Sequence, residues 1–431
     1  MSGLARRHAQ ALLSALGLLG NPTPPEDHPA LAWRRAGLMG VSGHPDGPGL
    51  VPPVALTSAA DGALAALRAL APAEKLPERG SSLLGERARL LGLRRGGRES
   101  ANRSCRLITT RSGDVALNLA RPDDWDLLPA LFEEDGLADW SAVERLAALR
   151  DREELVARGR LLGLPIAIDE TPAAPAMPFT LNQLAAPRAR FGTPMAVDLS
   201  SLWAGPLAGE LLAAAGARVV KVESLHRPDG ARAGHPRFFD LMNAGKSCIA
   251  LDFHDADDLM LLRALLERAD IVIEGSRPRA LAQLGIDAEG IASGGATWVS
   301  ITAYGRDGEA ADRIGFGDDA AVAGGLASAM ARGWGEPIFA GDAIADPLTG
   351  ITAALVAWAG WRSGGACLAS VPLSRVVAHA CSLYEAGSDE LNRWQAMAEA
   401  DAAPLYPLRT SVRRACEAGA DNDQLGAFVR A

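Results

Sequence analysis

The sequence predicts an α/β protein in which a second block, after residue 190, forms an open parallel sheet with helices on both faces. Short apolar runs typical of buried strands alternate with helical segments over this block. The turn Gly205-Pro206 follows the first apolar run and opens a helix, which is where open α/β sheets bind ligands. A proline-rich stretch, residues 171–187, separates this block from a first block of different character.

The elements of the second block follow one another in a regular order. The predicted strands cover residues 195–199, 218–222, 248–251, 270–273 and 298–302. The predicted helices cover residues 207–215, 257–268 and 348–361. This alternation of strand and helix is typical of a sheet whose neighbouring strands run parallel.

The sequence of the first block predicts that part of it forms a smaller α+β unit. Residues 107–119 are expected to form a pair of strands, and residues 123–162 two or three helices with charged faces. Residues 9–19 predict an amphipathic helix rather than a signal peptide, because Gln10 and Ser14 interrupt the apolar run.

Composition excludes several classes of function. The formal net charge of -9 over 431 residues argues against nucleic acid or an anionic membrane as the main partner. No apolar stretch reaches the ~18 residues of a membrane span. The five cysteines are scattered without a Cys-x-x-Cys motif and the seven histidines are dispersed, so neither a disulfide framework nor a metal site is expected. These features predict a cytoplasmic protein.

For chemistry, the most informative residue is Asp346, which precedes Pro347 and an apolar helical segment. At a helix N-cap its carboxylate would accept a hydrogen bond from an unpaired backbone N–H. A helix N-terminus also surrounds a carboxylate with backbone donors, so a chemical role is compatible with capping. Spacing alone leaves the two roles open.

The first block contains a shortened and altered copy of this region. Twenty residues separate Leu326 from Asp346, and the same number separates Leu38 from Ser58. An alanine-rich helix is predicted after each key position, at residues 63–70 in the early copy. The chain thus contains the same local pattern twice but its aspartate only once. This predicts one catalytically competent site, in the second block, and a supporting role for the first block.

Four runs of the second block form a more specific pattern. Residues 197–206 have the sequence VDLSSLWAGP, residues 216–223 GARVVKVE, residues 246–252 KSCIALD and residues 270–278 DIVIEGSRP. In this order they resemble the opening strand with its Ala-Gly-Pro turn and the GAxVxKVE, KRSIxLD and ADVxxExxRP motifs of the class III CoA-transferases. This CaiB/BaiF family includes formyl-CoA transferase, carnitine CoA-transferase and the α-methylacyl-CoA racemases.

The resemblance implies a division of the chain. Residues 190–385 would form a Rossmann-like, open parallel-sheet CoA-binding domain whose catalytic aspartate falls on Asp346. Residues 1–185 would be a partial copy of the family with a small α+β domain, and residues 386–431 a C-terminal helical tail. Because two chains of the family interlock as rings, a homodimer and an intramolecular pseudo-dimer are both implied.

The resemblance also implies a covalent mechanism. A carboxylate that attacks an acyl-CoA thioester forms a mixed anhydride, and the expelled CoA returns to give an aspartyl-CoA thioester that a second acid exchanges. Backbone N–H donors near the helix start would stabilise the tetrahedral intermediates. The implied partners are an acyl-CoA and a carboxylic acid, with coenzyme A as a substrate and no resident cofactor.

A set of CoA-contacting positions follows from the same resemblance. These are Leu202, Trp203, Ala204, Leu251, His254, Gly275, Ser276 and Phe316. Trp203 replaces the family's glutamine, and it would either wall the CoA channel or pack in the core. His254 and Gln283 replace family cations, which makes Lys246, Arg277 and Arg279 the candidates to compensate.

Two alternatives to CoA transfer remain open. The racemase branch places a histidine where this chain has Phe316, which cannot transfer a proton, so an epimerase would need another carrier such as His235 or His254. The neighbouring Asp318 and Asp319 are offset from that position and are predicted to cap a helix. The replaced cations also permit a catalytically degenerate CoA-binding subunit.

Overall fold

The computed structural model describes residues 3–430, and the chain opens with a helical unit. Its helices are α1 (Leu4–Ala15), α2 (Pro29–Arg35), α3 (Leu56–Leu70), α4 (Gly80–Leu84) and α5 (Glu86–Leu91), with a 3-10 turn at Leu38–Val41. The predicted amphipathic helix is α1, which begins and ends several residues earlier than expected. The alanine-rich helix predicted at residues 63–70 is the second half of α3.

A smaller α+β unit follows, as the sequence predicts. It consists of β1 (Cys105–Thr110), β2 (Gly113–Asn118), α6 (Pro122–Asp126), α7 (Leu128–Phe132), α8 (Trp140–Ala147), α9 (Arg152–Leu161) and β3 (Ile166–Ile168). The strands pair antiparallel in the order β1-β2-β3, which confirms the predicted strand pair. The helical stretch is divided more finely than predicted, since Pro129 starts a new helix at α7.

The second block forms the large sheet. Its strands are β4 (Thr180–Gln183), β5 (Met195–Asp198), β6 (Arg218–Ser224), β7 (Ser247–Leu251), β8 (Ile271–Glu274), β9 (Thr297–Ser300) and β10 (Cys367–Ser370). The strand order is β4-β10-β9-β8-β5-β6-β7, and all neighbours are parallel except β4 and β10. The predicted parallel sheet is therefore confirmed, and every predicted strand lies within two residues of its expected bounds.

Helices cover this sheet and complete the chain. They are α10 (Ala204–Ala214), α11 (Pro236–Asn243), α12 (Ala256–Arg268), α13 (Pro278–Gln283), α14 (Ala288–Ser293), α15 (Gly317–Ala323), α16 (Leu326–Trp334), α17 (Ala345–Arg362), α18 (Leu373–Ser382), α19 (Ser388–Ala400) and α20 (Leu425–Arg430). Short 3-10 turns occur at Gly230–Ala233, Gly308–Asp312 and Asn422–Gln424. Because β5 leads to β6 on one side and pairs with β8 on the other, the carboxyl ends of β5 and β8 form a topological switch point, which is where a ligand crevice is expected in an open α/β sheet.

Helix α17 is the buried centre of the molecule and joins the two blocks. It packs against α10 of the second block and α3 of the first within one apolar core. Trp358 Nε1 donates to the carbonyl oxygen of Leu70 at 3.2 Å. Gly350 allows the close approach of α10, since a Cβ there would lie 2.7 Å from the carbonyl oxygen of Ala204. The predicted domain bounds at residues 185, 190 and 385 stay predictions.

The two copies of the repeated scaffold have similar local geometry. Gly37 and Gly325 precede their helical turns with φ of 83° and 84°, which is the left-handed region that favours glycine. Ser58 lies in the first turn of α3 and Asp346 in the first turn of α17. The internal duplication stays a prediction, and these two helix starts are the elements on which it rests.

The C-terminal segment corrects the expectation that the cysteines are unpaired. Cys248 of β7 and Cys416 are joined by a disulfide, which sequence spacing could not reveal because 168 residues separate them. Residues 401–421 contain no helix; Tyr406 and Arg409 contact the first block, and Cys416 and Asp421 lie at the free edge of β7. There the side chain of Asn422 bonds both the N–H and the carbonyl oxygen of Ala250 at 2.9 Å.

Candidate active site

Asp346 lies in the first turn of α17, two residues after the N-cap. The helix begins at Ala345 with Ile344 in the capping position, so the predicted N-cap role of Asp346 is wrong. Its backbone N–H instead donates to the carbonyl oxygen of Ala343 at 2.9 Å. The residue is partly exposed, but its carboxylate is buried and accepts the backbone N–H of Ala204, the first residue of α10. The carboxylate therefore lies at the helix start that opens the crevice.

The surroundings of Asp346 favour its neutral form. Burial raises the pKa of its carboxyl from 3.8 to about 7. Arg87 and the N–H of Ala204 lower this pKa, whereas the negative charges of Asp318 and Asp342 raise it further. A carboxyl of this kind is close to half ionised at neutral pH, which is unusual for an aspartate and typical of functional sites.

Asp318 and Asp319 differ in role although they are neighbours. Asp319 Oδ1 accepts the backbone N–H of Phe316 at 2.8 Å, so it caps α15 as predicted. The capping prediction is wrong for Asp318, whose Oδ1 accepts the backbone N–H of Ala343 at 2.9 Å and whose Oδ2 accepts from Asn102 Nδ2 at 2.7 Å. Burial, together with Asp342, raises the pKa of Asp318 to about 7.

Arg87 brings a positive charge from the first block into the site. Its guanidinium binds both carboxylate oxygens of Asp342, at 2.8 and 2.5 Å, and lies 4.8 Å above the ring of Trp203. Burial disfavours the charge on Arg87, but Asp342, Asp318 and Asp346 together raise its pKa above the usual value. The site therefore combines three acidic side chains with one guanidinium.

Sequence reasoning missed both Arg87 and Asn102. They lie in α5 and before β1, and nothing in the local pattern of either segment marks a functional residue. Asp342 carried a weak signal, because it is a charged residue in an otherwise apolar and glycine-rich stretch before Asp346. That Arg87 is the partner of Asp342 is visible only in the folded chain.

The segments that follow the carboxyl ends of β5 and β8 contain most of the predicted CoA-contacting positions. Leu202 has φ of 71°, its N–H donates to Asp229 Oδ1 at 2.9 Å, and its side chain is exposed. Gly275 is exposed beside Ser200, and the hydroxyl of Ser276 donates to Glu274. These positions stay predictions as ligand contacts, but the fold brings them together.

The remaining predicted contacts lie at different depths. Trp203 is buried edge-to-face against Phe238, with ring centroids 5.4 Å apart, which agrees with its interpretation as a packed aromatic. Phe316 is partly exposed at the start of α15. Leu251 is buried at the end of β7, and His254 is exposed beyond it, so these two lie two strands away from β5.

The candidate cations also differ in availability. The prediction that Lys246 compensates for a missing CoA-binding cation is wrong. Its ammonium is buried and binds Asp198 at 2.7 Å, so it cannot reach a ligand. Arg279 pairs with Asp312 at 3.2 Å. Arg277 is partly exposed, and burial together with the nearby charge of Arg279 lowers its pKa. Of these three cations, Arg277 is thus the one best placed to bind an added anion.

We expect Asp346→Asn to stabilise the fold at alkaline pH. The pKa is 3.8 in the unfolded chain and about 7 in the fold, so the stability that this carboxyl contributes is lost as the pH rises through that window. At about 1.4 kcal/mol per unit, asparagine should raise the free energy of unfolding by roughly 2–4 kcal/mol above pH 7 and little near about pH 4. Denaturant unfolding across this range measures the difference. An equal gain from exposed Asp423→Asn would contradict it.

No helix in residues 3–430 is both long enough and apolar enough to cross a lipid bilayer. Within the same residues, no group of three or more His, Cys, Asp or Glu side chains has the arrangement of a metal site.

Comparison with known proteins identifies what the second block resembles. Residues 195–382 match the model of CoA-transferase family III. The succinate–glutarate CoA-transferase of Agrobacterium fabrum is 34% identical over 170 residues, which are 36% of this chain and 42% of that protein. Human succinyl-CoA:glutarate CoA-transferase is 29% identical over 215 residues, which are 46% and 49% of the two chains. This chain thus spans about half the length of these relatives.

Among solved structures, the crystal structure of Rv3272 from Mycobacterium tuberculosis aligns with 44% of this chain and 56% of its own. The sequence identity is 27% and the TM-score is 0.39. A CaiB/BaiF family protein from Brucella suis aligns with 43% of this chain and 53% of its own, at 29% identity and a TM-score of 0.36.

Proposed function

We propose that this chain moves CoA between carboxylic acids through a covalent intermediate on Asp346, since residues 195–382 match the model of CoA-transferase family III. The observation that carries the proposal is the position of the Asp346 carboxylate. Asp346 is a partly exposed residue, and its carboxylate accepts a hydrogen bond from the first residue of α10, the helix that follows β5. The named relatives transfer CoA between acids, which supports the same class of reaction here.

The reaction proceeds by acyl exchange and requires no ATP. The Asp346 carboxylate attacks the thioester carbonyl, forming an acyl–aspartyl anhydride and releasing CoA thiolate. The thiolate then attacks the aspartyl carbonyl, which releases the first acid and leaves an aspartyl-CoA thioester. A second acid attacks that thioester, and the thiolate released again attacks its acyl group, which yields the new acyl-CoA and restores Asp346.

Backbone donors supply electrostatic stabilisation to this chemistry. Each attack places negative charge on the carbonyl oxygen of the carbon that is attacked, which is the acyl carbon in the first and last steps and the side-chain carboxyl carbon of Asp346 in the two steps between. The N–H of Ala204 already bonds the carboxylate, and α10 and α17 both begin at this point, so their N-terminal dipoles favour negative charge there. Arg87 adds a full positive charge nearby.

Isotope exchange tests the proposed reaction directly. Succinate and glutarate, the acids that the relatives' names specify, are the first donor and acceptor to use. Labelled succinate should appear in succinyl-CoA in the absence of ATP, and unlabelled glutarate should compete for the CoA. If no acid in a broader panel exchanges although CoA binds, the chain is a CoA-binding subunit instead.

Arg277 is the proposed contact for a CoA phosphate. Arg279, Arg121 and Arg227 contribute positive charge around it, and it lies just beyond Gly275 and Ser276 at the crevice. We expect Arg277→Ala to raise the KM for acyl-CoA by roughly 10-fold at low salt, with little change in kcat, and the effect should shrink as salt is added. Steady-state kinetics with the exposed Arg393→Ala as control measures this. Equal effects in both variants would contradict the assignment.

An acyl-CoA epimerase is the second candidate function. Asp318 favours it, because a buried carboxyl with a pKa of about 7 has the proton affinity of a general acid or base. Both of its oxygens are already engaged by Asn102 and Ala343, which favours a structural role and hence the transferase. Incorporation of solvent deuterium at the α-carbon of an acyl-CoA would instead support the epimerase.

A further inference from the structure

We propose that the first block holds the turn before Asp346 in its working conformation, and that Arg87 is the principal positioning residue of this device. The proposal rests on the proposed function of Asp346 and assigns a role to the half of the chain that lacks the carboxylate. The contributing side chains are Ser42, Arg87 and Asn102, which are called the turn clamp below.

The turn itself is strained. Ala343 has φ of 40°, a left-handed conformation that residues with a Cβ rarely adopt. Its carbonyl oxygen accepts the N–H of Asp346 at 2.9 Å, so the conformation of Ala343 sets the position of the first turn of α17. Such conformations persist only where the surroundings fix them, and they concentrate at functional sites.

The turn clamp fixes the turn residue by residue. The N–H of Gly341 donates to Ser42 Oγ at 2.9 Å. The carboxylate of the next residue, Asp342, is gripped by Arg87 through two hydrogen bonds. The N–H of Ala343 donates to Asp318, which Asn102 holds from its other oxygen.

Arg87 contributes more than the other members of the turn clamp. A guanidinium can bind both oxygens of a carboxylate in a fixed plane, which orients Asp342 as well as neutralising it. Asp342 is completely buried, so without Arg87 its charge would be unpaired and the turn would have to move to rehydrate it. The same guanidinium lowers the pKa of Asp346 and so maintains its nucleophilic form.

Arg87→Ala is the first variant to test. We expect kcat for CoA transfer to fall at least about 100-fold, because the turn moves, while the KM for acyl-CoA changes less than about 3-fold, because the crevice is intact. Added guanidinium ion, well below denaturing concentrations, should restore part of kcat by occupying the space between Asp342 and Trp203. Arg89→Ala is the matched control, since Arg89 lies on the same helix and bonds the Tyr406 carbonyl at 2.7 Å.

Hydrogen–deuterium exchange over residues 338–348 reports on the turn without requiring activity. Exchange there should be faster in Arg87→Ala than in the wild type or Arg89→Ala. If the exchange changes as expected but the wild type transfers no CoA, the turn clamp stands and the proposed function fails. If kcat and exchange in Arg87→Ala both match the wild type, the positioning role is overturned.

A charge-neutral double variant keeps the proposal testable if Arg87→Ala does not fold. Arg87→Gln/Asp342→Asn leaves neither group as an unpaired charge. Its kcat should still be at least about tenfold below that of the wild type, because two amides orient the turn less firmly. Its pH profile should shift upward, since Arg87 affects the pKa of Asp346 more strongly than Asp342 does. An unchanged kcat and pH profile would refute the role of Arg87.

Discussion

Replacing Asp346 with asparagine is expected to abolish both adduct formation and CoA transfer. The amide has the shape of the carboxylate and retains an oxygen for the N–H of Ala204, but it cannot form the anhydride. Removal of a catalytic nucleophile of this kind costs on the order of 10⁴-fold or more in kcat. Intact-protein mass spectrometry after incubation with succinyl-CoA should detect an acyl or CoA adduct on the wild type and none on the variant.

The pH dependence and a matched control sharpen this test. Because the pKa of Asp346 is about 7 and only the carboxylate is nucleophilic, the rate of adduct formation should rise through pH 7 and level off above it. Ser58→Ala, at the corresponding helix start of the first block, should form the adduct as the wild type does. An adduct that persists in Asp346→Asn, or that maps to another residue, would remove the central step of the proposed reaction.

Gly317→Ala is also expected to have a large effect on the reaction. A Cβ at residue 317 would clash with the Asp346 carboxylate and would lie 2.6 Å from the carbonyl oxygen of Ala343. Both atoms belong to the segment that sets the position of the nucleophile, so the methyl group should displace the carboxylate by about 1 Å. We expect kcat to fall roughly 100-fold and the free energy of unfolding to fall by about 1–3 kcal/mol.

Gly245→Ala is the control for this substitution, because a Cβ there meets no atom within 4 Å. Thermal unfolding and steady-state kinetics of the two variants separate the steric effect from the general cost of replacing glycine. If Gly317→Ala keeps wild-type kcat, then the carboxylate tolerates displacement, and the geometry around Ala343 does not control the reaction.

The sheet could be predicted from the sequence because its strands are buried on both faces. Runs such as residues 248–251 and 271–273 are wholly apolar, so the strand signal does not depend on which neighbours they pair with. Strand β4 has mostly exposed side chains and β10 is a short run after a glycine-rich turn, so neither gave such a signal. Their pairing depends on the fold of the whole second block.

Site residues could be predicted from the sequence only where a local motif marks a single residue. Asp346 could be proposed from its motif, and its role stays a prediction, but its hydrogen-bond partner could not be foreseen, because capping by the residue itself and bonding to another helix fit the same local sequence. Lys246 was misjudged because a lysine in an apolar context gives no sign that Asp198 is its partner, 48 residues away. Arg87 and Asp342 are 255 residues apart. Such pairs are properties of packing and not of local pattern.

The C-terminal segment that lies beside β7 has a consequence for solubility. An outermost strand with free N–H and C=O groups is a template on which another chain can add a strand, and proteins protect such edges by covering them. Here the side chain of Asn422 occupies the hydrogen-bonding groups of Ala250, and Asp421 bonds the N–H of Cys248 at 2.7 Å. The disulfide to Cys416 fastens this cover. The C-terminal residues thus act as a guard against edge-to-edge aggregation, although they add no strand to the sheet.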